Sequence, residues 1–137
     1  MKWLLDTNAL AEPARPRPSR AFLERLEAAS KDLAIASVTL HEVLFGLERL
    51  PEGKRRRLVS DYLESFVSRI PVLPYDRAAA AWHAKERARL SAAGRPPPFA
   101  DGQIAAVAAS RGLVLVTANL RDFAAFKGLR AEDWTAA

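Results

Sequence analysis

The stretch Met1-Lys2-Trp3-Leu4-Leu5-Asp6-Thr7-Asn8 decides the fold. Its apolar residues, interrupted only by Lys2, stop at three polar ones, which predicts a buried strand in the centre of a sheet. In open α/β sheets the ligand-binding crevice lies just beyond the carboxyl ends of the strands. Asp6 falls at that place and is therefore the first candidate functional residue.

Further along the chain, short apolar runs alternate with stretches of helical periodicity, so we expect a parallel sheet in an α/β sandwich. The further strands are expected at residues 33–36, 72–73 and 113–116. The helices are expected at residues 20–29, from a cap at Ser37 or Thr39 to about residue 50, and at 54–69, 77–92 and 99–110, with a short turn or helix opening at 122. Ser19 and Asp76 are predicted N-caps, and the prolines of residues 12–18 predict a stiff loop before Ser19.

The composition favours one domain with an anionic partner. The 137 residues are expected to form a single domain over residues 1–137. A net charge of +5 favours nucleic acid as the partner, with an acidic protein as the second candidate. The absence of cysteine excludes disulfides, thiolate chemistry and cysteine-bound zinc. The sequence shows no signal peptide and no apolar run near the ~20 residues of a membrane span, so we expect a cytoplasmic protein.

Two predicted helices carry acids that could share this crevice. Asp101 heads a face on which Ala105 and Ala108 follow, so it either points into a packed region or only stabilises the helix N-terminus. Glu42 lies off the apolar stripe of its helix, which favours a solvated side chain, yet Gly46 one turn later leaves space above it. The stripe consists of Leu40, Val43, Leu44 and Leu47.

A second polar cluster follows the predicted strand 113–116. It contains Thr117, Asn119 and Asp122. The cluster is either a turn that caps the next helix or, together with Asp6, part of a crevice shared by two strand ends.

If Asp6, Glu42 and Asp101 meet, with Asp122 or Asn119 nearby, their charges require a partner. Two carboxylates ~4 Å apart repel by about 4 kcal/mol at an effective dielectric of 20, so the cluster must take up protons or bind a cation. Oxygen ligands without His or Cys suit Mg²⁺ or Mn²⁺, and either ion can activate a water at a phosphodiester. With a basic surface to hold phosphates, such a site indicates a nuclease.

Several short motifs agree with this interpretation. They are Leu-Leu-Asp6-Thr7-Asn8-Ala-Leu, Ser37-Val-Thr-Leu-His-Glu42 with Gly46, Pro74-Tyr-Asp76, Gly94-Arg-Pro, Asp101 with Gln103-Ile-Ala-Ala, and Leu115-Val-Thr117-Ala-Asn119-Leu-Arg-Asp122-Phe123. In their order and spacing, and over nearly the whole chain, they resemble the PIN-domain ribonucleases, specifically VapC-like (FitB-like) toxins of bacterial toxin–antitoxin pairs.

The resemblance implies a PIN-like three-layer α/β/α sandwich with a short central parallel β-sheet. It implies a metal-dependent endoribonuclease whose Mg²⁺ or Mn²⁺ is held by Asp6, Glu42, Asp101 and Asp122. At the fourth position many members carry an acid where this chain has Asn119, so Asp122 is expected to assist. The supporting residues that it implies are Thr7, Asn8, Thr117 and Asn119. The implied partners are RNA, a VapB-like antitoxin whose tail lies across the active-site groove, and a second copy in a homodimer.

The remaining charged and aromatic residues are assigned more simply. The candidate contacts to the RNA backbone are Arg15, Arg17, Arg20 and Arg95. The basic run 54–57 favours a solvated helix face over a patch that contacts phosphate or the antitoxin. His41 and His83 favour structural or surface roles, and the three tryptophans favour packing roles. The alternative function is a catalytically silent PIN fold that binds RNA or protein, against which the retained acids argue. A phosphatase is disfavoured because the chain has no Asp-x-Asp signature and no phosphate-cradling glycine-rich loop.

Overall fold

The computed structural model describes residues 1–135, which form five strands and seven α-helices. The strands are β1 (Trp3–Leu5), β2 (Leu33–Ala36), β3 (Val72–Leu73), β4 (Val114–Val116) and β5 (Arg130–Glu132). The helices are α1 (Thr7–Ala11), α2 (Arg20–Ala28), α3 (Ser37–Glu48), α4 (Lys54–Ser65), α5 (Arg77–Ala92), α6 (Phe99–Ser110) and α7 (Leu120–Phe123). Short 3₁₀ turns lie at Glu12–Ala14, Ser30–Asp32 and Val67–Arg69.

The five strands form one parallel sheet in the order β3-β2-β1-β4-β5. β1 is central, as predicted, and Leu4 lies opposite Ala34 on one side and Leu115 on the other. All three of these residues are fully buried, because helices cover both faces of the sheet.

Two hydrophobic cores flank the sheet. Successive residues of a strand point to opposite faces, so Leu4 and Leu5 belong to different cores. The Leu4 side packs against α5 and α6, through residues such as Leu90 and Ile104. The Leu5 side packs against α1, α2 and α4, and includes the buried Trp134. This arrangement confirms the predicted α/β/α sandwich.

Helix ends follow local capping chemistry. The side chains of Ser19 and Asp76 accept hydrogen bonds from the backbone N–H groups of Phe22 and Ala79, so both predicted caps are confirmed. α5 and α6 have the predicted bounds. The predicted cap at Ser37 or Thr39 is wrong, because α3 starts at Ser37, directly after β2, and its N-cap residue is Ala36, which makes no side-chain cap.

Other boundaries also differ from the sequence-based expectation. The segment after β1 is helical, because Asp6 caps α1 through the Ala9 N–H and Pro13 occupies an early position of the 3₁₀ turn, where proline is tolerated. α4 ends at Ser65, well before residue 69, and α7 begins at Leu120, ahead of residue 122. The edge strand β5 was not predicted.

Across residues 1–135, we find no helix with both the length and the apolar character required to cross a membrane.

Candidate acidic site

A cavity of about 180 Å³ lies at the carboxyl ends of the central strands. It is lined by Asp6, Thr7, Asn8, Glu42, Asp101, Ile104, Asn119, Asp122 and Phe123. The structure therefore brings together all four acids that were selected from the sequence, although they come from four separate segments of the chain. We refer to these four side chains as the cavity acids.

Asp6 is the most buried of the cavity acids, with 4% of its surface exposed. Its Oδ1 accepts a hydrogen bond of 2.7 Å from the Ala9 N–H, and its own N–H donates to the Val116 carbonyl at the end of β4. Burial raises the pKa of Asp6, hydrogen bonds from Thr117 and the backbone oppose that rise, and the charge of Glu42 adds to it. The carboxylate is thus held rigidly in a place that disfavours its charge.

Asp101 lies in the first turn of α6 and is half-buried. Ala105 and Ala108, further along the same face, are fully buried, which confirms that this face is packed. Burial raises the pKa of Asp101, and the charges of Asp122, Glu42 and Asp6 raise it further, in that order. Asp101 is therefore close enough to the other three cavity acids to be affected by their charges.

Glu42 turns toward the cavity, contrary to the periodicity of α3. The Thr7 hydroxyl donates a 3.1 Å hydrogen bond to Glu42 Oε1, which joins α1 to α3 at the edge of the cavity. The predicted apolar stripe of α3 is only partly buried, and Leu44 is 43% exposed. Periodicity misassigned this helix because α3 is not packed evenly along one side.

The polar cluster after β4 proves to be both a turn and a wall of the cavity. Thr117 is buried, and its hydroxyl accepts a 2.9 Å hydrogen bond from the Asn119 N–H. Asn119 occupies the N-cap position of α7 without making a side-chain cap. Asn119 and the exposed Asp122 both line the cavity, so geometry permits either at the fourth position.

The donor set fits a hard divalent cation, although the carboxylates are spread apart. Within residues 1–135, no three Asp, Glu or His side chains lie close enough to form a shared metal-ligand group. The cavity nevertheless offers four carboxylates, two amides and a hydroxyl, and its lining includes no His or Cys. Mg²⁺ prefers such oxygen donors and retains several water molecules, so it does not need every carboxylate in direct contact. A cation would also relieve the repulsion that raises the pKa of Asp101.

Arg15 is the predicted RNA contact that lies nearest the site. It lines an adjoining cavity of about 360 Å³ together with Asn8 and Asn119. The buried Glu12 fixes it through a 3.1 Å ion pair. The other candidates, which line neither cavity, are Arg17, Arg20 and Arg95.

An apolar groove of about 270 Å³ runs beside the acidic cavity, and sequence reasoning did not find it. It shares Thr7, Asn8 and Glu42 with that cavity. Its remaining lining residues are Ala11, Ala14, Arg15, Val43, Gly46, Leu47, Leu50, Arg55, Val59 and Tyr62. The only sequence signal was the apolar spacing of α3 and α4, which suggested core packing.

His83 and Trp134 are buried, whereas His41 lies at the surface. His83 is buried and its Nδ1 lies 2.7 Å from the Tyr75 hydroxyl. Trp3 and Trp134 pack edge to face. The basic run is more than a solvated face, because Arg56 donates to carbonyls at the end of α3, including Leu47 at 3.0 Å.

The sequence is similar to that of known PIN-domain proteins. The sequence profile of the PIN domain matches residues 3–129. The chain is 42% identical to the tRNA(fMet)-specific endonuclease VapC of Shigella flexneri over 98% of this chain and 99% of that protein. It is 33% identical to Toxin FitB of Neisseria gonorrhoeae, over 88% and 89% of the two chains.

Solved structures give the same result. DNA-bound VapBC from Salmonella typhimurium superposes with a TM-score of 0.86 at 37% identity and covers 98% of both chains. FitAcB from Neisseria gonorrhoeae superposes with a TM-score of 0.85 at 30% identity, over 98% of this chain and 99% of the other.

Proposed function

Because this chain belongs to the PIN-domain family, as a VapC-like member, we propose that it is a metal-dependent endoribonuclease and the toxin of a VapBC-like pair. We treat residues 1–137 as a single PIN domain. The observation that carries the proposal is the convergence of four acids from four separate segments on one cavity. The relatives that share the family carry the names endonuclease, ribonuclease and toxin.

Asp6, Glu42 and Asp101 would hold Mg²⁺ or Mn²⁺, with Asp122 assisting. Bound there, the ion would supply a Lewis acid that activates a water and neutralises charge on the phosphodiester. Asn119 contributes an amide at the same wall of the cavity.

The supporting residues fix the directions of these carboxylates. Thr7 donates to Glu42, and the Ala9 N–H and the Thr117 hydroxyl hold Asp6. Such contacts orient metal ligands before the ion arrives. Since burial and mutual repulsion raise the pKa of Asp6 and Asp101, a cation favours the fully ionised cluster.

RNA would approach from the Arg15 side. That guanidinium lies beside Asn8 and Asn119, next to the acidic cavity, where it can contact a phosphate. Arg17, Arg20 and Arg95 would extend the basic surface. The name of the relative at 42% identity makes initiator transfer RNA the first substrate to test.

The protein partners follow from the family. The solved neighbours are toxin–antitoxin complexes, so we propose a VapB-like antitoxin for this chain. The homodimer that we also propose is supported by the family resemblance alone. The antitoxin tail would lie along the apolar groove, which shares Glu42 with the cavity and therefore allows the tail to cover the acids.

The test is cleavage of initiator transfer RNA and of a structured RNA pool by purified protein, free of antitoxin, with Mg²⁺, with Mn²⁺ and with a chelator. We expect cleavage only with metal, and its loss in Asp6→Asn and Asp101→Asn that still fold by circular dichroism. Cleavage at the parental rate by either variant would contradict the metal-site assignment. A parent that binds RNA without cutting any of it would favour the silent binding module.

A further inference from the structure

Helix α5 lines no part of the acidic cavity, yet one of its faces contacts the chain just beyond Asp122. Trp82, Glu86 and Arg89 are spaced i, i+4 and i+7, which places them on one side of the helix. The ring of Trp82 lies 5.8 Å from that of Phe126. This face therefore contacts the segment 125–127, which follows α7.

Two hydrogen bonds join α5 to this segment at defined positions. Arg89 Nη2 donates a 2.8 Å hydrogen bond to the Ala125 carbonyl, and Glu86 Oε1 accepts one of 2.7 Å from the Lys127 N–H. The two side chains also bind each other through a fork of 2.8 and 2.9 Å. Forked arginine–carboxylate pairs have a defined geometry, so the pair offers one donor and one acceptor at fixed positions. Glu86 is buried, which limits competition from water.

The contacts with segment 125–127 are important because α7 is too short to be stable without tertiary contacts. α7 has only four residues, and an isolated helical turn is unstable without tertiary contacts. Asp122 is itself exposed, whereas Phe123 beside it is buried. The position of Asp122 therefore depends on how the chain is anchored on either side of α7.

The same helix also sets the position of the opposing acid. The imidazole of His83 fits against Gly102, which directly follows Asp101, and a Cβ at Gly102 would lie 2.2 Å from His83 Nε2. α5 and α6 thus approach closely at the turn that carries Asp101. Helix α5 therefore contacts both the segment that follows Asp122 and the residue that follows Asp101.

We propose that Glu86 and Arg89 are positioning residues that hold Asp122 opposite Asp101 in the acidic cavity. The inference rests on the proposed function, because it assumes that the cavity acids bind a metal ion. Neither residue touches the metal or the substrate; both act through the backbone of residues 125–127 on α7.

The experiment is a thermodynamic cycle on Mn²⁺ binding. The full chain is titrated with Mn²⁺ alone, and free Mn²⁺ is measured by its electron paramagnetic resonance signal, for the parent, Arg89→Gln, Asp122→Asn and the double variant. Arg25→Gln is the matched control, because Arg25 makes a 3.1 Å ion pair with Glu132 that joins α2 to β5, and neither side chain lines the cavity. Thermal melts confirm folding, and Arg89→Lys, which keeps the charge but loses the fork, replaces Arg89→Gln if that variant does not fold.

We expect Arg89→Gln to weaken Mn²⁺ binding by about tenfold, the lower end of the range for residues that orient metal ligands. In the Asp122→Asn background the same change should have little effect, because its route to the metal is already lost. Cleavage by Arg89→Gln should lose kcat with KM for RNA unchanged.

An equal loss in both backgrounds, or the same loss in Arg25→Gln, would show a general structural effect and overturn the inference. If the parent shows no Mn²⁺ binding that Asp6→Asn removes, the proposed function is overturned, and this inference is overturned with it. The two failures are therefore distinguishable.

Discussion

Carboxylates occupy two contrasting environments in this protein. One is the acidic cavity, and the other consists of sites where a carboxylate pairs with an arginine. Glu12, Glu86 and Asp76 each have an arginine partner and also accept a backbone N–H. Within residues 1–135, no lysine or arginine forms an ion pair with a cavity acid.

The pKa of the paired Glu86 shifts in the opposite direction from the pKa values of Asp6 and Asp101 in the cavity. The pKa of Glu86 is lowered, first by its hydrogen bond with Arg89, while the pKa values of Asp6 and Asp101 are raised, first by burial. A lowered pKa means that ionisation stabilises the fold, whereas a raised one means that ionisation costs stability. The ionised Glu86 thus stabilises the fold, whereas the ionised forms of Asp6 and Asp101 cost stability that a bound cation would restore.

The largest expected effect is the difference in RNA cleavage between a variant that neutralises a cavity acid and a variant that neutralises a paired acid. Glu42→Gln keeps an acceptor for Thr7 but removes a charge from the cavity, so we expect RNA cleavage to fall by about 100-fold or more. Asp76→Asn removes a charge that lies outside the cavity and should leave the cleavage rate within about twofold of the parent. Both rates are measured under single-turnover conditions. Equal losses would remove the functional distinction between the two environments.

Gly102→Ala shifts the Asp101 turn without altering any charge. The new Cβ would collide with His83, so we expect overpacking to lower the free energy of unfolding by about 1–3 kcal/mol. Urea denaturation measures the loss. The double variant Gly102→Ala/His83→Ala should lose less free energy of unfolding than the sum of the two single losses, because His83→Ala removes the ring with which the new Cβ collides. Simple additivity would contradict the close contact.

Glu86→Gln should lower the free energy of unfolding by about 1 kcal/mol at pH 7, since it weakens charged hydrogen bonds. The folded-state pKa lies below the ordinary 4.5, so this stabilisation is complete above 4.5 and is lost as the pH falls through the lower folded value. Thermal melts of parent and variant should therefore converge in acid. A difference that stays constant with pH would mean that the charge is not responsible.

Asp101→Asn should raise stability slightly in the presence of a chelator. The folded pKa lies above the ordinary 3.8, so the penalty is absent below 3.8 and complete above the raised value. Because the side chain is only half-buried, solvent screening limits the gain to about 1 kcal/mol or less, which is roughly 3 °C in Tm.

Excess Mg²⁺ should raise the Tm of the parent more than that of Asp101→Asn. Equal responses of parent and variant to Mg²⁺ would contradict a role for Asp101 at the cation.

The sequence was most informative where burial is uniform. The apolar run before Asp6 predicted a central strand, and the caps and glycine ends predicted α5 and α6 to the residue. The candidate acids were identified because acids at strand ends and at the head of a buried helical face are unusual. The parallel sheet places the ends of β1 and β4 together, whereas the approach of Glu42 and Asp101 also depends on how α3 and α6 pack.

The remaining features depend on contacts between distant residues. Glu42 is oriented by Thr7, 35 positions away, so the periodicity of α3 could not reveal its direction. β5 is a three-residue edge strand with a mixed polar sequence, which carries little strand signal. The fork of Glu86 and Arg89 can be read as an i, i+3 pair, but its contacts with residues 125 and 127 cannot.

The central position of β1 has a consequence for synthesis on the ribosome. β1 is made before the other strands of this sheet, and although it can pair with β2 early, its pairing with β4 must wait, because Leu4 lies opposite Leu115. Asp101 and Asp122 both follow α5 in the chain, so a nascent chain that ends before residue 101 lacks half of the cavity acids. Parallel pairing over such a sequence distance is slow to form. If the protein is the nuclease proposed above, translation produces it in an inactive state, and cleavage begins only when nearly the whole domain has left the exit tunnel.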